Sequence, residues 1–149
     1  PESTEAELTL NRFEHTATRN GQTQWTLDAE QAELFSSRNL AFLTDIHLTV
    51  FTDHQMEIRV RAGKGKLNLH TKNITVWGNV QAHHMGYSLQ TRSLHYKHDS
   101  HIIYTEHEAT ISGQNMQLIA DTASFELDTG QIVLDGNVKG FVSETEDLF

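Results

Sequence analysis

One pattern recurs along this chain and permits only one kind of local structure. The stretch ITVWGNV, Ile74 to Val80, returns as IVLDGNV, Ile132 to Val138, 58 positions later. Setting Ile58 against Met116 aligns Val60 with Leu118, Ala62 with Ala120, Gly65 with Ala123, Leu67 with Phe125 and Leu69 with Leu127, without a gap. Halfway along, at an offset of about 29 residues, Tyr87, Leu89, Thr91, Leu94, Tyr96 and Ile103 occupy the same slots. Trp25, Leu27, Ala29, Ala32 and Leu34 form an earlier copy at slightly wider spacing. Within each copy apolar and polar residues alternate, and alternation places one set of side chains on one face of a strand. No stretch shows a convincing helical period. The chain therefore reads as all-β: four copies of a hairpin preceded by a leading strand, in a single domain over residues 1–149.

The apolar face runs through Leu40, Phe42, Thr44, Ile46, Leu48 and Val50, then Ile58, Val60 and Ala62, then Leu67 and Leu69, and then Ile74, Val76, Gly78 and Val80. The opposite face carries Arg59, Arg61, Lys66, Asn68, Thr75 and Asn79. Asn20-Gly21 suits a type I′ turn, which needs positive φ at both central residues, so Phe13 to Ala17 should pair with Trp25 to Ala29. The parity of the apolar face switches between Ala62 and Gly65 and again between Ala120 and Ala123, which marks a bulge or crease. A turn at His70 to Asn73 would set Leu69 opposite Ile74 and Gly65 opposite Gly78. The same count sets Ala123 opposite Gly136, Ala32 opposite Thr44 and Leu94 opposite His107, with a blunter crease in that third copy. Small residues meeting along a line would let an antiparallel meander fold into two facing layers with the apolar side chains between them. Such a sheet keeps two edge strands and a space between its halves.

Composition removes several classes of function. With 149 residues and 37% hydrophobic content the chain can bury a core. No apolar run approaches the roughly 18 residues needed to cross a bilayer as a helix. The start at Pro1, with no methionine and no leader, points to an upstream segment having been removed. There is no cysteine, hence no disulfide framework or thiolate metal site. A net charge of -9 argues against nucleic acid as a partner.

Several elements occur together in a telling order. LNRFEHTATRNGQTQWTLDAEQAEL (Leu10 to Leu34) precedes a strand ending HLTVF. Then come RAGKGKL, ITVWGNV, SLQTRSLHY, ATISGQNMQLIADTASFEL and IVLDGNV. Over nearly its whole length the chain resembles the LptC family of lipopolysaccharide-export proteins. The sister family LptA shares the repeat but usually lacks the N-terminal hairpin ending in Trp-x-Leu-x-Ala. The resemblance implies an open, twisted β-jellyroll in the periplasm, tethered to the inner membrane by an N-terminal transmembrane helix that this chain does not contain. It implies a non-enzymatic carrier, without cofactor, that accepts lipopolysaccharide from an inner-membrane ABC transporter and passes it to LptA by edge-strand addition. The edges would carry Leu8, Leu10 and Phe13 at one end and Val138, Phe141 and Val142 at the other. An LptA-like bridge protein is the nearest alternative.

If acyl chains lie between the layers, the lining candidates are the inward slots: Leu67, Leu69, Ile74, Val76, Leu89, Tyr96, Ile103, Leu118, Phe125, Leu127, Ile132 and Leu134. The same residues would equally form a packed core. Arg59, Arg61, Lys64 and Lys66 hold four of the eleven basic residues and suit a solvated outer face, or phosphates at the mouth of a groove. His83, His84, His95, His98, His101 and His107 cluster in the third copy, but without the spacing of a zinc site. A β-scaffold glycosidase would need two carboxylates facing across a cleft. Glu106, Asp121, Asp128 and Asp135 fall on the polar face or in turns instead. A structural repeat protein assembling end to end through its edges is a further rival. The acidic tail SETEDLF is expected to fray from, or shield, the last edge.

Overall fold

The computed structural model describes residues 6–144, so the tail beyond Glu144 lies outside the described residues. Asn20 and Gly21 have φ of 53° and 77°. These are the left-handed values that a two-residue hairpin with native twist requires. The hairpin has the expected register, with Phe13 opposite Ala29 and Ala17 opposite Trp25. The strands are β1 (Leu8–Leu10), β2 (Phe13–Arg19), β3 (Gln22–Phe35), β4 (Leu40–Phe51), β5 (Glu57–Asn68), β6 (Ile74–His84) and β7 (Tyr87–Lys97). They continue as β8 (Ile102–Thr105), β9 (Ala109–Gly113), β10 (Met116–Ala120), β11 (Thr122–Glu126), β12 (Gln131–Asp135) and β13 (Lys139–Val142), with one short 3-10 turn at Ser36–Arg38. All belong to one antiparallel sheet. β1 and β2 both lie along β3, and β8 and β9 both lie along β7. Likewise β10 and β11 run in line, as do β12 and β13. The architecture is thus the expected leading strand plus four hairpins, each bent once.

The bend is a line on which the ladders are interrupted. Glu30, Asp45 and Gly63 are unpaired within otherwise unbroken registers. The line continues through Gly78-Asn79, through the break at Glu106 to Glu108, and through Asp121. It ends at Gly136-Asn137. The repeated Gly-Asn pair sits on this line: φ is 84° and 53° at Gly78-Asn79, and 82° and 48° at Gly136-Asn137. Only glycine, and asparagine at modest cost, adopt such values readily. The motif therefore recurs because each return strand must turn the same corner. The switch in parity lies where it is expected, between buried Ala62 and buried Gly65 and between Ala120 and Ala123.

Several expected pairings are corrected. Leu67, not Leu69, opposes Ile74, and Gly65 opposes Val76. Asn68 is the cause. Its side-chain oxygen accepts from the amides of His70 and Thr71, at 2.9 Å each, and its carbonyl accepts from Lys72. The turn therefore starts a residue earlier, and Leu69 leaves the ladder to donate its amide to Asn39 of the neighbouring turn. Gly78 consequently faces Gly63: a Cβ on either would lie 3.5–3.6 Å from the other's backbone. Ala123 opposes Leu134, with Gly136 against Asp121 instead. Ala32 opposes Leu43, and Gln31 opposes Thr44. Tyr96 opposes Ile103 and His95 opposes Tyr104, so His107 does not face Leu94 but lies in the strand break between β8 and β9. In β4 the parity switches at Asp45 (φ 55°): Ala41 and Leu43 point inward and are buried, and Phe42 packs outside, edge-on to Phe35.

The two halves of the bent sheet face each other across a single core. One layer holds β1, β8, β11, β12 and the adjoining halves of β3 to β7; the other holds β2, β9, β10, β13 and the remaining halves. Trp25, Leu43, Ile46, Val50, Val60, Leu67, Ile74 and Val76 are almost completely buried between them. Far from the crease, two contacts join the layers at their hairpin tips. Arg19 donates to the carbonyl of His98 at 3.2 Å, and the amide of Asp53 donates to the carbonyl of Leu127 at 3.1 Å.

Candidate functional site

Beyond the Asp53–Leu127 contact the layers separate. The space between them is a cleft with a cavity volume of about 100 Å³, widening to about 650 Å³ when the part open to solvent is counted. One wall is Ile58, Ala82, His84, Tyr87, Ser88, Leu89 and Ile111; the other is Leu94, Ile103, Tyr104, Thr105, Ala123, Ser124, Phe125 and Ile132. Among the described residues no Asp, Glu, Lys or Arg lines it, so the cleft suits hydrocarbon. Ala82 stands on one wall and Ala123 on the other, and their small side chains leave room between the layers. His84 reaches across the mouth edge-on to Phe125, with ring centroids 5.3 Å apart. A carbonyl can only accept, so the His84 Nδ1 that lies 2.9 Å from the Glu57 carbonyl carries the hydrogen, and that bond fixes the ring. The cleft continues inward as a narrow seam past Ile74, Val76, Leu94, Tyr96 and Ile103.

The expected lining separates into groups. Leu89, Ile103, Phe125 and Ile132 line the cleft, with Ile132 exposed at its mouth. Ile74, Val76 and Tyr96 line the inner seam. Leu67 and Leu127 are packed core, and Leu69 lies against that core from its turn. Leu118 and Leu134 are half-buried near the C-terminal edge and do not reach the cleft. Sequence reasoning missed Ile58, Ala82, His84, Tyr87 and Ile111. The apolar repeat already marked the slots of Ile58 and Tyr87, but which end of the roll stays open depends on how the layers cross.

Leu8 and Leu10 lie on β1 and Phe13 on β2, along the N-terminal edge. Phe141 and Val142 lie on β13, with Val138 just before it, along the C-terminal edge, and all three are exposed. Arg59, Arg61, Lys64 and Lys66 form an exposed stripe on the outer face of β5. The histidines are scattered rather than gathered: His83 and His84 at one tip, His95 on the outer face against Tyr104, His98 and His101 at the opposite tip. Among the described residues no three metal-ligating side chains converge. Glu106, Asp121, Asp128 and Asp135 are all exposed and none faces another across the cleft.

At the closed tip the titrating groups reflect burial. Burial raises the Tyr96 hydroxyl above its ordinary range, and that hydroxyl lies 2.9 Å from Nδ1 of His98. Burial, then the Arg19 guanidinium, lowers His98. His101, itself buried, makes a 2.6 Å contact with Asp128 that ties the β7–β8 turn to the β11–β12 turn.

Comparison with known proteins agrees with this architecture. The family described as "Lipopolysaccharide-assembly, LptC-related" matches residues 1–143. Among solved structures, the chain is similar to LptH of Pseudomonas aeruginosa, described as the LptA homologous periplasmic component of the conserved lipopolysaccharide transport device. The TM-score is 0.65 at 8% identity, over 80% of this chain and 95% of that one, a likeness of fold. No curated protein matches the sequence.

Proposed function

Because the chain belongs to the LptC family of lipopolysaccharide-assembly proteins, we propose that it carries lipopolysaccharide by holding the glycolipid's acyl chains in the cleft between its layers. The observation that carries this reading is the cleft itself: apolar on both walls, open to solvent, and with no Asp, Glu, Lys or Arg among its described lining residues. Burial of acyl chains is worth about 0.8 kcal/mol per methylene. A chain of roughly a dozen carbons therefore outweighs modest repulsion between an anionic lipid and a protein of net charge -9. No bond is made or broken in such a role. In the full-length protein the domain would stand in the periplasm, anchored to the inner membrane, receiving lipid from an ABC transporter at the β1–β2 edge. It would pass the lipid to an LptA-type partner that extends the sheet at the β12–β13 edge, where unpaired backbone groups favour strand addition.

A photo-crosslinking amino acid at Phe125 or Leu89 should capture lipopolysaccharide in cells, whereas one at Thr75 or Thr49, on the outer face, should not. Capture at the outer positions alone would reject the cleft as the lipid site.

A further inference from the structure

We infer that the outer side of the β6–β7 tip, around Arg59, His83 and His84, binds a phosphate on the head of the lipid whose tails occupy the cleft. This rests on the cleft reading above. Beside the mouth lies a second, polar hollow lined by Glu57, Arg59, His83, His84, Met85 and Tyr87. His84 and Tyr87 line both the hollow and the apolar cleft, so the two are continuous around the tip. Arg59 is the basic residue that lines this hollow beside them.

The charge of that stretch is otherwise unexplained. In a chain of net charge -9, β5 points Arg59, Arg61, Lys64 and Lys66 outward. Their cross-strand partners are Thr49, His47, Thr44 and Phe42 on one side and His83, Gln81, Trp77 and Thr75 on the other, none of them acidic. None of the four forms an ion pair with a described residue. Arg61 borders the crease, where Asp45 and Glu30 share its surroundings, and Lys64 and Lys66 lie past the crease. Of the four, Arg59 lines the hollow that shares His84 and Tyr87 with the cleft. Its planar fork suits a phosphate, and His83 sits directly beside it. The Nδ1 hydrogen of His84 is committed to the Glu57 carbonyl, so this ring donates to a phosphate, from Nε2, only as an imidazolium. Glu57 also lines the hollow, and its carboxylate opposes an anion there.

The test is binding of two probes: a diphosphorylated, acylated glucosamine disaccharide and the same lipid with both phosphates removed. Arg59→Gln should weaken binding of the phosphorylated probe about 5- to 20-fold, the scale of one exposed charge-assisted contact, and of the other less than about 2-fold. Lys66→Gln removes the same charge from the same strand across the crease and should leave both within about 2-fold. Glu57→Gln should tighten the phosphorylated probe alone. Equal losses from Arg59→Gln and Lys66→Gln, or an Arg59→Gln effect shared by both probes, would overturn the phosphate site while leaving the cleft intact. Failure of the unaltered protein to bind either probe would overturn the cleft, and this site with it.

Discussion

Leu67 and Ile132 both fall on the inward face of the alternation, yet their environments differ completely: Leu67 is 0% exposed and Ile132 is 53% exposed at the cleft mouth. Leu67→Ala should cost about 2–5 kcal/mol, the usual result of a core cavity, read from urea denaturation. Ile132→Asp should change stability by less than about 0.5 kcal/mol while markedly reducing lipid capture at Phe125. Two glycines separate in the same way. Gly21 has φ of 77° with no atom within 4 Å of a built Cβ, so Gly21→Ala should cost about 1 kcal/mol from backbone strain alone. A Cβ on Gly65 would lie 2.5 Å from Cδ1 of Ile46 and 3.0 Å from the Thr75 carbonyl. Gly65→Ala should therefore cost about 1–3 kcal/mol through overpacking. Acidity acts through burial. His98, His95 and His15 are all lowered, each chiefly by desolvation, so the unfolded chain binds protons near the ordinary imidazole range that the folded chain refuses. Stability should fall as pH drops from about 7 through 6.5. The fall should be smaller in His98→Gln; a Tm independent of pH between 7.5 and 5.5 would contradict the assignment.

At the scale of elements, the turns set register. Asn68 satisfies two turn amides with one oxygen, so Asn68→Ala should cost about 1–2 kcal/mol and loosen the β5–β6 hairpin. Faster amide exchange at Leu67 and Ile74 is the measurable sign. The repeated Gly-Asn pair shows how a short motif changes meaning with position. Asn-Gly at 20 and 21 closes a hairpin, whereas Gly-Asn at 78 and 79 and at 136 and 137 turns a strand across the crease. Alternation finds the strands and the parity switch finds the crease to within a residue or two. The pairings across each hairpin were less accessible, because one Asx-type side-chain bond at Asn68 shifts the ladder and displaces Leu69 from it.

For the whole molecule, the decisive feature is how the two layers cross. The β2–β3 tip meets the β7–β8 turn through Arg19, and the β4–β5 tip meets the β11–β12 turn through Asp53. Among the described residues no turn of the other layer bonds to the β6–β7 tip, and the cleft lies there. Filling the space from within should separate fold from function: Ala123→Phe, on the cleft wall, should retain the far-ultraviolet spectrum of a β protein and lose most lipid capture at Leu89. Undiminished capture would place the lipid elsewhere.

The sequence alone determined that this chain is an antiparallel sheet of bent hairpins, because side-chain direction in a strand depends only on residue parity and because positive φ selects glycine and asparagine. It also determined which strands lie at the edges of the sheet, since a consecutive meander places its first and last strands there. Tertiary structure alone decided which inward residues became core and which became cleft. That choice depends on the angle at which two twisted layers cross, a property summed over all the strands and carried by no single residue.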